Sequence, residues 1–250
     1  MNLILTSDTH YGMDGKTHSK HDKFWRKVAK SIVDNDVKCL VWAGDLSANK
    51  QRQLRRTIQH MREHVKIPVV LVRGNHDFWD AWDPRDEGSG NRAWHLLEAD
   101  HRQLFGEFNI SHLEDGPVVI DDVIICGWDG WYGMSNPPTN DERFMFRDYR
   151  GAPMHVFLSN RAWKKFDEVL ATDVDKYRAA VAVTHFNPYV TDWKWADMCA
   201  NLKFYDLIKE KFDVFCCGHN HQFKDRVEDG CRVLNSGSDY NNPKFLLFEV

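Results

Sequence analysis

The chain has 250 residues, of which 42% are hydrophobic, enough to bury a large core as one domain. Its formal net charge of -4 provides no overall attraction to nucleic acid or to an anionic membrane surface, so any anionic ligand has to be drawn in locally. No stretch approaches the roughly 18 apolar residues of a membrane span, and the opening MNLILTSDTH lacks the basic start and apolar run of a secretory signal, so a cytoplasmic location is expected. The six cysteines form no CxxC pair and read as buried, reduced thiols.

Short runs rich in Val, Ile and Leu alternate with longer amphipathic stretches. In chain order the pattern predicts a strand over 2–6, a helix over 22–33, a strand over 37–43, a helix over 50–65, a strand over 69–72 and a helix over 92–105. It continues with a strand over 118–126, a helix over 156–170, a strand over 179–184, a helix over 202–211 and strands over 214–217, 231–234 and 245–250. Such interleaving is the signature of an α/β protein. No repeat or linker divides the chain, so a single domain over 1–250 is expected, with an irregular loop insertion at about 127–153 and a second irregular loop over 80–91.

Metal-type polar residues stand directly after five of the predicted strands, where loops gather at one edge of a sheet. They are Asp8-Thr9-His10, Gly44-Asp45, Gly74-Asn75-His76-Asp77, His185 and Gly218-His219-Asn220-His221. Residues two apart on an extended segment point the same way, so each D-x-H or H-x-H pair can face one pocket. The glycines before Asp45, Asn75 and His219 are read as sharp turns that expose the next side chain. A mixed oxygen and nitrogen donor set suits Mn, Fe, Zn or Ni better than Ca or Mg.

The ordered set D-x-H, GD, GNHD, H and GHNH, running from Asp8 to His221, resembles the calcineurin-like metallophosphoesterase superfamily. The resemblance implies a four-layer α/β/β/α sandwich of two mixed sheets flanked by helices. It also implies two divalent transition metal ions, Mn first among the candidates. Asp8, His10, Asp45 and His221 would hold one ion; Asp45, Asn75, His185 and His219 would hold the other, with Asp45 as the bridge. His76 is expected to contact the phosphate and protonate the leaving oxygen, and Asp77 to orient its ring. The two carboxylates Asp8 and Asp45 only partly neutralise two such cations, so the centre keeps a positive balance that attracts phosphate. The implied chemistry is attack by a metal-bridging hydroxide on a phosphate ester.

Several departures narrow the substrate. The second motif reads GDLSANK and the third GNHD, unlike the GDxxDRG and GNHE usual in serine/threonine protein phosphatases. The GWDGWY stretch at 127–132 is similar to one found in small phosphohydrolases of the superfamily. A small phosphodiester or phosphomonoester, nucleotide-like, is therefore the expected substrate; a stand-alone nuclease and an inactive binding protein are the alternatives. The ten tryptophans and the KQRQLRR run at 50–56 are read as loop packing and a solvated helix face, rather than a nucleic-acid surface. The histidines outside the motifs are assigned to surface or helix-face positions, except His18 and His21, which can border the pocket.

Overall fold

Alternation along the strands decides how the layers stack. The computed structural model describes residues 1–12, 18–47, 51–81, 90–131, 152–187, 202–240 and 242–250. Its elements are β1 (Asn2–Thr6), α1 (His18–Asp34), β2 (Val37–Ala43), α2 (Gln51–His64), β3 (Val69–Val72), a 3-10 turn (Asn75–Ala81), α3 (Gly90–Glu107) and β4 (Ser111–His112). A second 3-10 turn (Leu113–Asp115), β5 (Val118–Ile120), β6 (Val123–Gly127), α4 (Ala152–Leu170) and β7 (Ala179–Val183) follow. The chain ends with α5 (Leu202–Ile208), β8 (Val214–Cys217), β9 (Lys224–Glu228), β10 (Cys231–Asn235) and β11 (Phe245–Glu249).

The strands form two mixed sheets, ordered β11-β1-β2-β3-β4 and β5-β6-β7-β8-β10-β9. In the first sheet, Leu3, Leu5, Cys39, Val41, Ala43, Val70 and Val72 point one way and pack against Val123, Ile125, Val181, Val183 and Cys216 of the second. The residues between them, Ile4, Leu40, Trp42 and Leu71, point the other way and are covered by Trp25, Leu54, Ile58 and Phe105 from α1, α2 and α3. The outer face of the second sheet is covered likewise by Phe166 of α4 and Ile208 of α5. Period-2 alternation with both faces apolar thus produces helix, sheet, sheet and helix in four layers, as expected. Each fully buried Leu, Val or Phe side chain contributes roughly 1.5–3 kcal/mol.

The structure departs from the sequence reading in a few places. The run over 118–126 is two antiparallel strands, β5 and β6, because Asp121 adopts a left-handed backbone (φ 53°) and turns the chain. Two strands were not legible: β4, only two residues long, and β9, whose sequence KDRVE is polar because it is an exposed sheet edge beside β10. Of the loop expected over 80–91, Gly90 and Asn91 belong to α3 and residues 82–89 lie outside the described residues. Most of the 127–153 insertion also lies outside them. Cys39, Cys126, Cys216, Cys217 and Cys231 are buried free thiols, as expected, and no described helix is long and apolar enough to cross a membrane.

Candidate metal centre

Strands β1, β2 and β3 run parallel in one sheet, and β6, β7 and β8 run parallel in the other. Their carboxyl ends deliver Asp8 and His10, Asp45, Asn75 and His76, His185, and His219 and His221 to one place. The backbone there is forced: Asp8 (φ 48°), His10 (φ 42°), Asp45 (φ 51°), His219 (φ 71°) and His221 (φ 55°) all occupy the left-handed region. That region is unfavourable for side chains with a Cβ and concentrates at functional sites. Among the described residues, the other non-glycine positions with positive φ are Asp and Asn, which tolerate it in turns.

The donor atoms converge as two overlapping groups. His10 Nε2 lies 3.2 Å from His221 Nε2 and 4.0 Å from Asp8 Oδ1, and His221 Nε2 lies 3.3 Å from that same oxygen. Asn75 Oδ1 lies 3.2 Å from both His185 Nε2 and His219 Nδ1. Between the groups, Asp45 Oδ2 is 3.4 Å from His185 Nε2 and 3.6 Å from His10 Nε2. His76 Nε2 stands 3.9 Å from Asp45 Oδ2, at the rim of the same cluster. The seven residues expected to bind metal are therefore brought together, with Asp45 in the middle.

Outer contacts fix which ring atoms face inward. His185 Nδ1 donates to the Ala43 carbonyl at 2.8 Å, which turns Nε2 toward Asp45 and Asn75. His221 Nδ1 lies 3.3 Å from Asp239 Oδ1, an imidazole–carboxylate pairing that does the same for its Nε2. Asp239 and Tyr240, whose ring packs 4.3 Å from that of His10, were not found by sequence reasoning. Both sit past the LNSGS turn, with no motif to mark them. Asn235 at the end of β10 donates to the Gly218 carbonyl at 3.0 Å and so pins the loop that bears His219.

Asp77, expected to orient the His76 ring, also spans two motif loops. Its carboxylate accepts backbone N–H groups from Gly74 (2.9 Å), Leu46 (3.2 Å) and Ser47 (3.4 Å), clamping the second motif loop to the third. Burial, then the neighbouring charge of Asp45, push its pKa up to about 7. Burial would raise Asp45 too, but His185 and His76 outweigh it and hold Asp45 well below the usual carboxylate range. Asp8 is also lowered, with the His221 bond overcoming burial.

The glycines work by close approach more than by turning. A Cβ on Gly74 would lie 2.1 Å from Asp45 Oδ1, and one on Gly44 would lie 2.5 Å from His185 Nδ1. Of the two, only Gly44 has a positive φ (81°). Gly74→Ala must displace Asp45 although every metal-type side chain stays in the sequence. Since a misplacement of about 1 Å can cost about 100-fold in rate, the variant is expected to lose that much phosphoesterase turnover and part of its metal content. Parallel assays of turnover and bound metal check this.

Behind the centre lies a buried ionic cluster that sequence reasoning missed. Arg73, 1% exposed, precedes Gly74, and Asp129 follows β6 in the GWDGW stretch. Asp129 accepts the Arg73 backbone N–H at 2.7 Å and its Nε at 2.8 Å, and receives His112 Nε2 at 2.8 Å. Thr184 Oγ1 donates to the Asp129 carbonyl at 3.3 Å. Glu114, beside Arg73, also pairs with Arg161 of α4. The cluster ties together the loops after β3, β6 and β7, the last of which carries His185. Trp128 and Trp131, on either side of Asp129, are buried against Phe166 and Phe186, so these two tryptophans pack loops as expected. The side chains of the other tryptophans beside the motifs lie outside the described residues.

The donor set fits a divalent transition ion: several imidazole nitrogens and carboxylate or amide oxygens converge at 3.2–4.0 Å, the mixed nitrogen and oxygen set that such an ion prefers. Two sheets between helices gather such donors at parallel strand ends. A family model described as calcineurin-like phosphoesterase matches residues 1–223, and the chain belongs to that family. It is, by class, a metal-dependent phosphoric ester hydrolase. The phosphopantetheinyl hydrolase of Mycobacterium tuberculosis is similar in fold, with a TM-score of 0.66 at 16% identity over 96% of this chain and 90% of that one. A protein described as a 5′-nucleotidase from Staphylococcus aureus gives 0.61 at 12% identity, over 100% of this chain and 51% of that one. No curated protein matches the sequence.

Proposed function

We propose that the chain is a single-domain dinuclear enzyme that hydrolyses a small, nucleotide-like phosphodiester or phosphomonoester. The observation that carries this reading is the position of Asp45 Oδ2, within 3.4 Å of His185 in one donor group and 3.6 Å of His10 in the other. Asp8, His10, Asp45 and His221 would hold one ion; Asp45, Asn75, His185 and His219 would hold the other. When bound, such ions acidify a water and offset charge on the phosphoryl oxygens, and Mn is the ion expected. The names carried by two proteins of similar fold, phosphopantetheinyl hydrolase and 5′-nucleotidase, agree with a phosphate-ester substrate, and the second with a nucleotide-like one. Five buried free thiols suit the reducing cytoplasm.

His76 is assigned the leaving-group proton. Its ring stands at the rim, 4.5 Å from that of His10, and its backbone N–H is fixed by Asp45 Oδ1 at 2.9 Å. Burial pushes its pKa down to about 3, so the free chain holds it neutral; a bound phosphate anion would favour the protonated form that a general acid needs. Asp77 acts as a positioning residue by holding the two motif loops together.

Purified protein supplied with Mn is expected to cleave bis-p-nitrophenyl phosphate. His76→Ala is expected to keep its metal and lose about 100-fold in turnover, the usual share of a general acid. Inactivity of the parent chain with Mn, Fe, Zn and Ni would refute the enzyme reading. A panel of cyclic nucleotides, mononucleotides and single-stranded DNA assigns the substrate; cleavage of DNA alone would replace this reading with a nuclease.

A further inference from the structure

A second group of imidazoles and a carboxylate stands apart from the centre. Asp22 lies near the start of α1, and His60 and His64 lie one turn apart on α2. Residues four apart on a helix share a face, so both rings reach toward the same point on the neighbouring helix. Asp22 Oδ1 is 3.1 Å from His64 Nε2 and 3.6 Å from His60 Nε2, and one donor atom from each of the three residues falls within 4.8 Å of the others. Ligands on a tetrahedral ion with bonds of about 2.0–2.1 Å stand about 3.3 Å apart, so both carboxylate–imidazole separations fit a shared cation.

The surroundings prepare these atoms for that task. Arg26 Nε donates to Asp22 Oδ2 at 2.7 Å, which leaves Oδ1 turned to the imidazoles. That bond also holds the Asp22 carboxyl well below the usual carboxylate range, in its ligating form. The side chains are graded in exposure, His60 at 4%, His64 at 15% and Asp22 at 31%, so the group has a buried floor and an open side through which an ion can enter. Tyr11, which follows His10, lays its ring 6.1 Å from that of His60 and 4.8 Å from that of His21. His60 and His21 are buried, His60 on the face of α2 that meets α1.

We propose that Asp22, His60 and His64 form an additional divalent-cation site that cross-links α1 to α2 behind the loop carrying Asp8 and His10. Two nitrogens and one oxygen select zinc, or nickel and copper, over magnesium and calcium. The ion would be structural, fastening two of the helices that cover the first sheet.

The test measures zinc per chain after equilibrium dialysis for the parent protein, His64→Gln and Asp22→Asn. Each variant is expected to hold one zinc fewer than the parent and to keep its Mn-supported turnover. Zinc is also expected to raise the parent's thermal midpoint by more than it raises that of either variant. In the parent chain, zinc should shift the His60 and His64 ring resonances, a readout that needs no substitution. Equal zinc content in all three proteins, or ring resonances that zinc leaves in place, would show an ion pair between helices and nothing more. The one-ion difference does not depend on activity, so failure of the phosphoesterase reading and failure of this site are separate outcomes.

Discussion

Asp45→Asn is expected to lower phosphoester turnover by more than about 100-fold, beyond the 10–100-fold loss typical when an outer partner of a metal ligand is changed. The substitution keeps an oxygen that can accept the His76 backbone N–H, so the loop need not move. What it removes is the negative charge between the two donor groups, where Oδ2 stands 3.4 Å from His185 and 3.6 Å from His10. Stability should fall as well. The charge of Asp45 raises Asp77, but His185 and His76 hold Asp45 itself well below the usual carboxylate range, so its ionised form stabilises the folded chain on balance. Chelator-treated Asp45→Asn is therefore expected to unfold at a lower temperature than the chelator-treated parent, and the gain from added Mn shrinks. Parent-like turnover with a full metal complement would show that Asp45 is no bridge.

The second large effect is structural. Asp129→Ala leaves the Arg73 guanidinium buried without its closest carboxylate and leaves the Arg73 N–H and His112 without their acceptor. Breaking a buried pair from one side costs about 3–5 kcal/mol, a large fraction of the stability of an ordinary domain. Burial would raise Asp129, but Arg73 and then His112 hold it well below the usual carboxylate range, so it is charged throughout the neutral range. Because Arg73 adjoins Gly74 and the Asp129 carbonyl receives Thr184, next to His185, activity should fall along with stability. Urea unfolding measures the first effect. Arg73→Met combined with Asp129→Ala is expected to lose less than the sum of the two single changes, because neither charge is then stranded. Strict additivity would mean that the pair is not coupled.

The metal-type side chains were legible in the sequence because each follows an apolar run, and the carboxyl ends of parallel strands share an edge. Asp8, Asp45 and His185 needed nothing more than that placement. The physical means of holding them was less visible. Gly74 reads as a turn residue in sequence, yet its role is to let Asp45 approach, a contact between residues 29 positions apart that local pattern does not encode. Asp129 and Arg73 are 56 positions apart, and Asp129 sits in an aperiodic stretch. The available signal was a charged residue set between two tryptophans, and another directly after VVLV. The strand KDRVE was missed for a different reason: an exposed edge needs no apolar face, so its sequence lacks the alternation by which strands are read.

Anomalous diffraction from crystals of the Mn-loaded chain tests the central claim most directly. Two peaks are expected, one among Asp8, His10 and His221 and one among Asn75, His185 and His219, with the Asp45 carboxylate touching both. A single peak, or two peaks of which one lies out of reach of Asp45, would contradict it.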